Sequence, residues 1–285
     1  MTAETDLFIL VGPTASGKTD LALALAARAG AEIVNVDAYQ IYRGLPVLTA
    51  APTVEQRARV PHHLVETLDP AAELSALEYA ALAQAAMTDI RQRKRRILLV
   101  GGAGFYLEAI LGASSTAPPP DAAIRLAVEQ LDPGERLTEL QRLDPTAATV
   151  VDLQNPRRVQ RALEIVRQTG RPFACFAPAP LPAVAGAVID LPREILQQRI
   201  VARVDAMLAA GAIEEVRNLN LHGKTCGQTL GLTEIRQLIA GAISLQECRE
   251  RIIVATRQYA KRQLTWFRNR SPWPWLPPAE INWPD

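Results

Sequence analysis

Along the first hundred positions the apolar residues gather into short runs, not into alternation. Leu7–Val11 is apolar throughout, residues 32–36 form a second run that stops at Asp37, and residues 97–100 form a third that stops at Gly101. After the first and third runs, residues 20–29 and 105–111 carry Leu, Ala and aromatic side chains at helical spacing. Short apolar strands alternating with helices predict a parallel sheet covered on both faces. Loops at the carboxyl ends of such strands build the ligand site, so the segment after Val11, Asp37 and the Gly101-Gly102 turn are expected to converge.

The run Ala117-Pro118-Pro119-Pro120 breaks this pattern, and from there to about Pro182 the chain reads as helical, with no convincing strand. A return strand is expected over 188–191, helices over 193–210, 213–219 and 254–268, and an irregular tail of Pro and Trp after Ser271. The expected organisation is an α/β core of residues 1–112 and 184–285, with a helical insertion over 113–183.

Composition narrows the class. A chain of 285 residues that is 48% apolar can fill a globular core. The first six residues carry no basic, apolar leader and no later segment reaches 18 uncharged apolar residues, so a soluble cytoplasmic protein with no membrane partner is expected. Cys175, Cys226 and Cys248 lie far apart, without the spacing of a disulfide framework or a zinc site.

A formal charge of +1 does not mark a nucleic-acid binder, but its distribution is uneven. Residues 249–270 hold seven basic side chains against Glu250 alone, and residues 155–171 hold Arg157, Arg158, Arg161, Arg167 and Arg171 against Glu164 alone. Such runs fit phosphate backbones and also fit ordinary solvated helix faces.

Residues 12–19, GPTASGKT, satisfy GxxxxGK[ST] between a strand and a helix. Glycines let backbone N–H groups curl round an anion, the helix N-terminus adds its dipole, Lys18 adds a mobile cation, and Thr19 offers a hydroxyl to Mg²⁺. The parallel sheet flanked by helices thus carries a phosphate-binding loop. The motif reports a di- or triphosphate and leaves its bearer open. Asp37 fits a metal ligand, a general base or the cap of a following helix. Gln40 fits a helix N-terminus as well as an amide that reads adenine. Gly101-Gly102-Ala103-Gly104 allows close approach by a ligand or by a packed helix. His62 and His63, with no further ligands, make a poor metal site. In the last helix Arg257 and Lys261 share a face, with Tyr259 and Trp266 interleaved.

Six segments in this order resemble the bacterial tRNA dimethylallyltransferase family: residues 12–19, 36–44 (VDAYQIYRG), 60–64 (VPHHL), 100–106 (VGGAGFY), 155–164 (NPRRVQRALE) and 256–266 (TRQYAKRQLTW). The resemblance implies a P-loop NTPase-like fold, and an enzyme that takes dimethylallyl diphosphate in place of ATP. It would transfer the dimethylallyl group to N6 of the adenosine 3′ of the anticodon, as a monomer whose helical insertion grips the tRNA anticodon stem-loop. It implies Asp37, Lys18 and Thr19 as the catalytic set, with Mg²⁺ on Thr19. It assigns the diphosphate to Gly12, Pro13, Thr14, Ala15, Ser16, Gly17, Lys18 and Thr19, joined by Arg199 and Arg203. It assigns tRNA contacts to Asp37, Ala38, Tyr39, Gln40 and Ala103, to Arg125, Arg157, Arg158, Val159, Gln160 and Arg161, and to Arg257 and Lys261.

The chain departs from the family pattern at Ala38 (commonly Ser), Ala51 (Lys), Ala103 (Thr) and Leu232-Thr233 (Tyr, then Lys or Arg). Three other readings stand beside the main one. They are a P-loop small-molecule kinase, an adenylate isopentenyltransferase acting on free AMP or ATP, and a non-catalytic RNA-binding relative.

Overall fold

The computed structural model describes residues 6–219 and 225–283; residues 1–5, on which the expected absence of a leader chiefly rests, lie outside the described residues. Two compact units divide the chain, one from the residues up to Gly112 and from Leu181 onward, the other Ala113–Pro180.

In the larger unit, β1 (Leu7–Val11) leads into α1 (Lys18–Ala29), β2 (Ala31–Val36), the short helices α2 (Pro46–Thr49) and α3 (Val54–Arg59), and β3 (His62–His63). Then come α4 (Ala76–Gln92), β4 (Arg96–Gly101) and α5 (Gly104–Ile110). The smaller unit holds α6 (Ala122–Glu129), α7 (Pro133–Leu143) and α8 (Pro156–Thr169), with no strand among its described residues. The chain closes with β5 (Gly186–Ile189), α9 (Arg193–Ala209), α10 (Ala212–Asn218), α11 (Leu232–Ile239), α12 (Leu245–Arg270) and β6 (Trp275–Leu276).

Six parallel strands run in the order β3-β2-β4-β1-β5-β6. The three central strands are buried on both faces, with Ile9, Leu10, Leu98 and Leu99 each at 0% exposure, which is why their sequences do not alternate. Register matters most for function. Gly101 of β4 pairs with Val11 of β1 on one side and Val36 of β2 on the other, so all three strands end at one level. Gly12, Asp37 and Gly102 leave the sheet side by side. No Cβ fits on Gly101, where it would lie 1.9 Å from the Val36 carbonyl.

Three details differ from the sequence expectation. The return strand is Gly186–Ile189 and not 188–191, because Pro192 opens α9 and Leu191 belongs to the turn before it. The tail is not wholly irregular, since Trp275–Leu276 pairs with Val188 and Ile189 as an edge strand. The last helix begins nine residues earlier than the apolar pattern suggested, at Leu245, where Ser244 accepts from the Glu247 N–H as its cap.

The helical unit has its own core of Val128, Leu140, Ala147, Val151, Val159, Ala162, Leu163 and Val166. Asn155 caps α8, Pro156 sits at its first position and Gly170 closes it at φ 65°, a left-handed turn that favours glycine. No described helix is long and apolar enough to cross a membrane.

Candidate active site

The loop after β1 arches over the start of α1. Gly17 sits at φ 85° and Ala15 at φ 63°. A non-glycine residue in that region is held there by its surroundings. The N–H groups of Gly17, Lys18 and Thr19 stand at the open end of α1, where a helix has no internal acceptors to offer, and the three residues line a cavity.

Three cations converge on this loop. Lys18 Nζ donates to the Gly12 and Pro13 carbonyls at 3.0 and 2.7 Å. Arg199 donates to the Ser16 carbonyl at 2.9 Å. Arg203 donates to the Thr14 hydroxyl at 2.9 Å and to the Thr49 carbonyl at 3.1 Å. Burial pulls the Lys18 ammonium down to about 7 from 10.5, with Asp37 opposing and Arg203 adding to the shift. Burial likewise makes Arg203 less basic than a free guanidinium, against the attraction of Asp37. Concentrated, largely buried positive charge, opposed here by Asp37, is what a diphosphate would relieve.

Asp37 lines the same cavity as the loop, together with Gln40, Ala50, Pro52, Arg199 and Arg203. One carboxylate oxygen accepts from the Tyr39 and Gln40 N–H groups at 2.9 and 3.2 Å, which fixes the carboxylate in a turn. No helix starts at Asp37, since the next one, α2, begins at Pro46 behind Leu45, so the capping role is set aside. Tyr39, Tyr106 and Tyr259 surround this carboxylate; burial first, and the Asp37 charge among the further causes, raises all three phenols above their ordinary values. They stay protonated and keep their donors.

Gln40 spends both amide hydrogens on the Thr49 and Ala50 carbonyls, at 3.2 and 3.1 Å, which leaves its carbonyl oxygen to accept from a ligand. Ala38, Tyr39 and Ala103 are half-buried near these turns, and the Ala103 N–H donates to the Val36 carbonyl at 3.2 Å. Arg257 and Lys261 are exposed on α12.

The remaining basic residues belong to the helical unit. Glu164 is 1% exposed, and Arg125, Arg161 and Gln160 all donate to its carboxylate at 3.2–3.4 Å. Burial pushes its pKa up, but these hydrogen bonds outweigh it and hold the carboxyl below the usual range. Arg125, Gln160 and Arg161 are therefore tied, while Arg157 and Arg158 are exposed. Val159 requires a correction: at 3% exposure it packs in the helical core, so its side chain is not offered to a partner.

Among the described residues no three His, Cys, Asp or Glu side chains gather as a metal cage. Mg²⁺ does not need one, since it is commonly held by one or two protein oxygens together with substrate phosphates and water. Thr19 and Asp37 border the cavity and fit that role. His63 pairs with Glu32 at 2.7 Å, and His62 Nδ1 lies 2.7 Å from the Val60 carbonyl.

Sequence reading left Gln263 out of the site. Its Oε1 accepts the Thr14 N–H at 2.8 Å and its Nε2 donates to the Gly102 carbonyl at 3.0 Å. The signal was a polar residue inside a buried helical stripe: Ile252, Ile253, Thr256, Ala260, Gln263 and Phe267 form the inward face of α12.

Residues 40–270 match the family described as IPP transferase. A tRNA dimethylallyltransferase of Geobacter metallireducens is 42% identical over 96% of this chain and 93% of its own length. The crystal structure of the tRNA isopentenylpyrophosphate transferase of Bacillus halodurans superposes with a TM-score of 0.69 at 34% identity, covering 97% of this chain and 90% of that one. A eukaryotic dimethylallyltransferase acting on tRNA gives a TM-score of 0.74 at 27% identity, covering 92% of this chain and 69% of that one.

Proposed function

The chain belongs to the IPP transferase family, and from that membership we propose how its cavity carries out the tRNA prenylation that its relatives' names describe. It is a prenyltransferase. The donor is dimethylallyl diphosphate, held with its diphosphate on residues 12–19 and its carbon chain toward Asp37. The acceptor is N6 of the adenosine 3′ of the anticodon, drawn out of its stack to reach a carbon inside the protein.

In the reaction the bond between the allylic carbon and the diphosphate oxygen breaks, a bond between that carbon and N6 forms, and N6 gives up one proton. Negative charge grows on the departing diphosphate. Lys18, Arg199, Arg203 and the first-turn N–H groups are aimed at the loop where that charge appears, so they stabilise the transition state more than the ground state. Asp37 accepts the N6 proton through the oxygen that its turn leaves available. Thr19 would hold Mg²⁺, which would supply further neutralising charge to the leaving group. Gln40 orients the adenine through its remaining acceptor. Arg157 and Arg158 on α8, and Arg257 and Lys261 on α12, hold the RNA through its phosphates. This reading places a monomer in the cytoplasm with the anticodon stem-loop as its partner.

The observation that carries the reading is the common level of Gly12, Asp37 and Gly102 at the ends of three paired strands. That level sets an anion cradle beside a fixed carboxylate. The test incubates the protein with labelled dimethylallyl diphosphate, Mg²⁺ and either unmodified tRNA with adjacent adenosines 3′ of the anticodon or AMP. Label in the tRNA alone is expected. Label in AMP would reassign the acceptor, and no transfer to either would end the proposal.

A further inference from the structure

Gln263 is 6% exposed, yet it is an amide on the inward face of a helix. Both ends of that amide are used. The carbonyl end holds the Thr14 N–H in the diphosphate loop, and the amino end holds the Gly102 carbonyl in the second glycine turn, at 2.8 and 3.0 Å. Past the strand ladder, the other hydrogen bond between these two turns among the described residues is a long one, Gly12 N–H to the Gly101 carbonyl at 3.3 Å.

The fit is specific. A Cβ on Gly102 would lie 2.2 Å from Gln263 Nε2, and one on Gly104 would lie 2.2 Å from the Trp266 ring one turn further along α12. Two glycines thus make room for two side chains of one helix. The Thr14 N–H, turned toward Gln263, is withdrawn from the ligand, and it anchors the residue just before Ala15, whose positive φ needs such support. A side chain that must accept from one loop and donate to the other is met by an amide and not by an apolar residue or an ionised carboxylate.

We propose that Gln263 is a positioning residue that holds the diphosphate loop and the second glycine turn at one spacing, so that the allylic carbon and the attacking amine meet at bonding distance. The inference rests on the prenyl-transfer reading. Gln263 borders the cavity, with both ends of its amide spent on the two turns. It acts through Thr14, which sits on the leaving-group side, and through Gly102, which precedes Ala103 on the acceptor side.

The experiment compares the intact enzyme with Gln263→Leu and Gln263→Glu in steady-state transfer to unmodified tRNA, with thermal unfolding and inorganic diphosphate affinity measured alongside. A misplacement on the scale of 1 Å costs about 10²-fold, so kcat is expected to fall by about that factor in Gln263→Leu. Diphosphate affinity should fall only about 2- to 10-fold, the worth of a hydrogen bond, and tRNA affinity should hold. Gln263→Glu adds a readout that a structural role would not move. Its buried carboxyl regains a donor when protonated, so its deficit against wild type should shrink as pH is lowered, while that of Gln263→Leu stays constant. Should Gln263→Leu fail to fold, this pH comparison on the glutamate variant decides. Turnover within about threefold of wild type in folded variants, or a glutamate deficit independent of pH, overturns the proposal. Absence of transfer by the wild-type enzyme would instead sink the prenyl-transfer reading; the tie is then judged by diphosphate affinity, which an idle Gln263 would leave unchanged.

Discussion

Arg203 grips two loops with one guanidinium, donating to the Thr14 hydroxyl at 2.9 Å and to the Thr49 carbonyl at 3.1 Å. The same Thr49 carbonyl accepts from Gln40 at 3.2 Å. A planar fork therefore links the loop of residues 12–19 to the segment that holds the Gln40 amide. Glu215 secures that segment from the other end, accepting the Val47 and Leu48 N–H groups at 2.7 and 2.9 Å. These hydrogen bonds hold the cation in one place, which spares the reorganisation that a mobile side chain would need at the moment of reaction.

Arg203→Lys is expected to behave as a loss, although it keeps the charge, because an ammonium on a flexible stem does not span two acceptors in fixed geometry. Removal of one preorganised donor from a developing anion costs about 10²–10³-fold in kcat. Thr14→Val, which removes only one of the two partners, should cost no more than about tenfold in kcat/KM. Equal turnover by Arg203→Lys and wild type would show that the fork is idle.

The Lys18 shift makes a pH prediction with a definite sign. Its pKa in the ligand-free protein is about 7 against 10.5 ordinarily, chiefly through burial. A bound diphosphate restores the charged form, so above about pH 7 binding draws in a proton. Affinity for inorganic diphosphate should fall as pH rises through 7 to 10, by up to about tenfold per unit for one proton, beyond the drift caused by the ligand's own titration. Lys18→Met isolates the effect because it keeps only that drift. The ligand-free protein carries the linked stability term: between about pH 7 and 10.5 the unfolded chain binds the extra proton, so this group's contribution to stability rises with pH across that window. Parallel affinity profiles for wild type and Lys18→Met would refute the assignment.

Asp37→Asn tests acid–base chemistry without disturbing the turn, since the amide oxygen can still accept from the Tyr39 and Gln40 N–H groups that the carboxylate now holds. Loss of a positioned base is worth about 10²–10⁴-fold. Transfer should drop by that factor while tRNA and diphosphate affinities stay within a few fold. A matching loss of tRNA affinity would move Asp37 from chemistry to recognition.

The site was legible in the sequence where local pattern and chemistry coincide. Residues 12–19 carry their loop geometry in their glycines, and the apolar runs before Gly12, Asp37 and Gly101 gave the strand ends that bring those residues together. Other parts depend on long-range partners that no window reveals. Gln263 meets Thr14 across 249 positions, and Arg203 meets it across 189. Resemblance reached Arg203 because the family pattern marks a basic position there, whereas Gln263, although inside the matching segment 256–266, carries no assigned role in a run read for its charge. The edge strand Trp275–Leu276 was hidden for a related reason: two residues flanked by Pro274 and Pro277 have no period of their own and become a strand only against β5. Val159 was misread because the basic segment around it was taken whole, when its helical face alone decides which side chains meet solvent.

That helical face gives the last prediction. On α8, Arg157 and Arg158 are exposed, Val159 is buried, and Gln160 and Arg161 turn toward Glu164. If the exposed pair binds RNA phosphates, Arg157→Glu with Arg158→Glu should weaken tRNA binding and flatten its dependence on salt, by about one unit of slope for each phosphate that is no longer neutralised. Val159→Ala is the control on the same turn. It should lower the stability of the helical unit by about 1–2 kcal/mol through reduced apolar burial and leave the salt slope untouched. Filter binding of unmodified tRNA across a salt series, run on all three proteins below their melting temperatures, separates the two effects. An unchanged slope in the double arginine variant would take α8 out of the RNA interface, and a changed slope in Val159→Ala would mean that the fold of the unit, not its surface charge, sets the affinity.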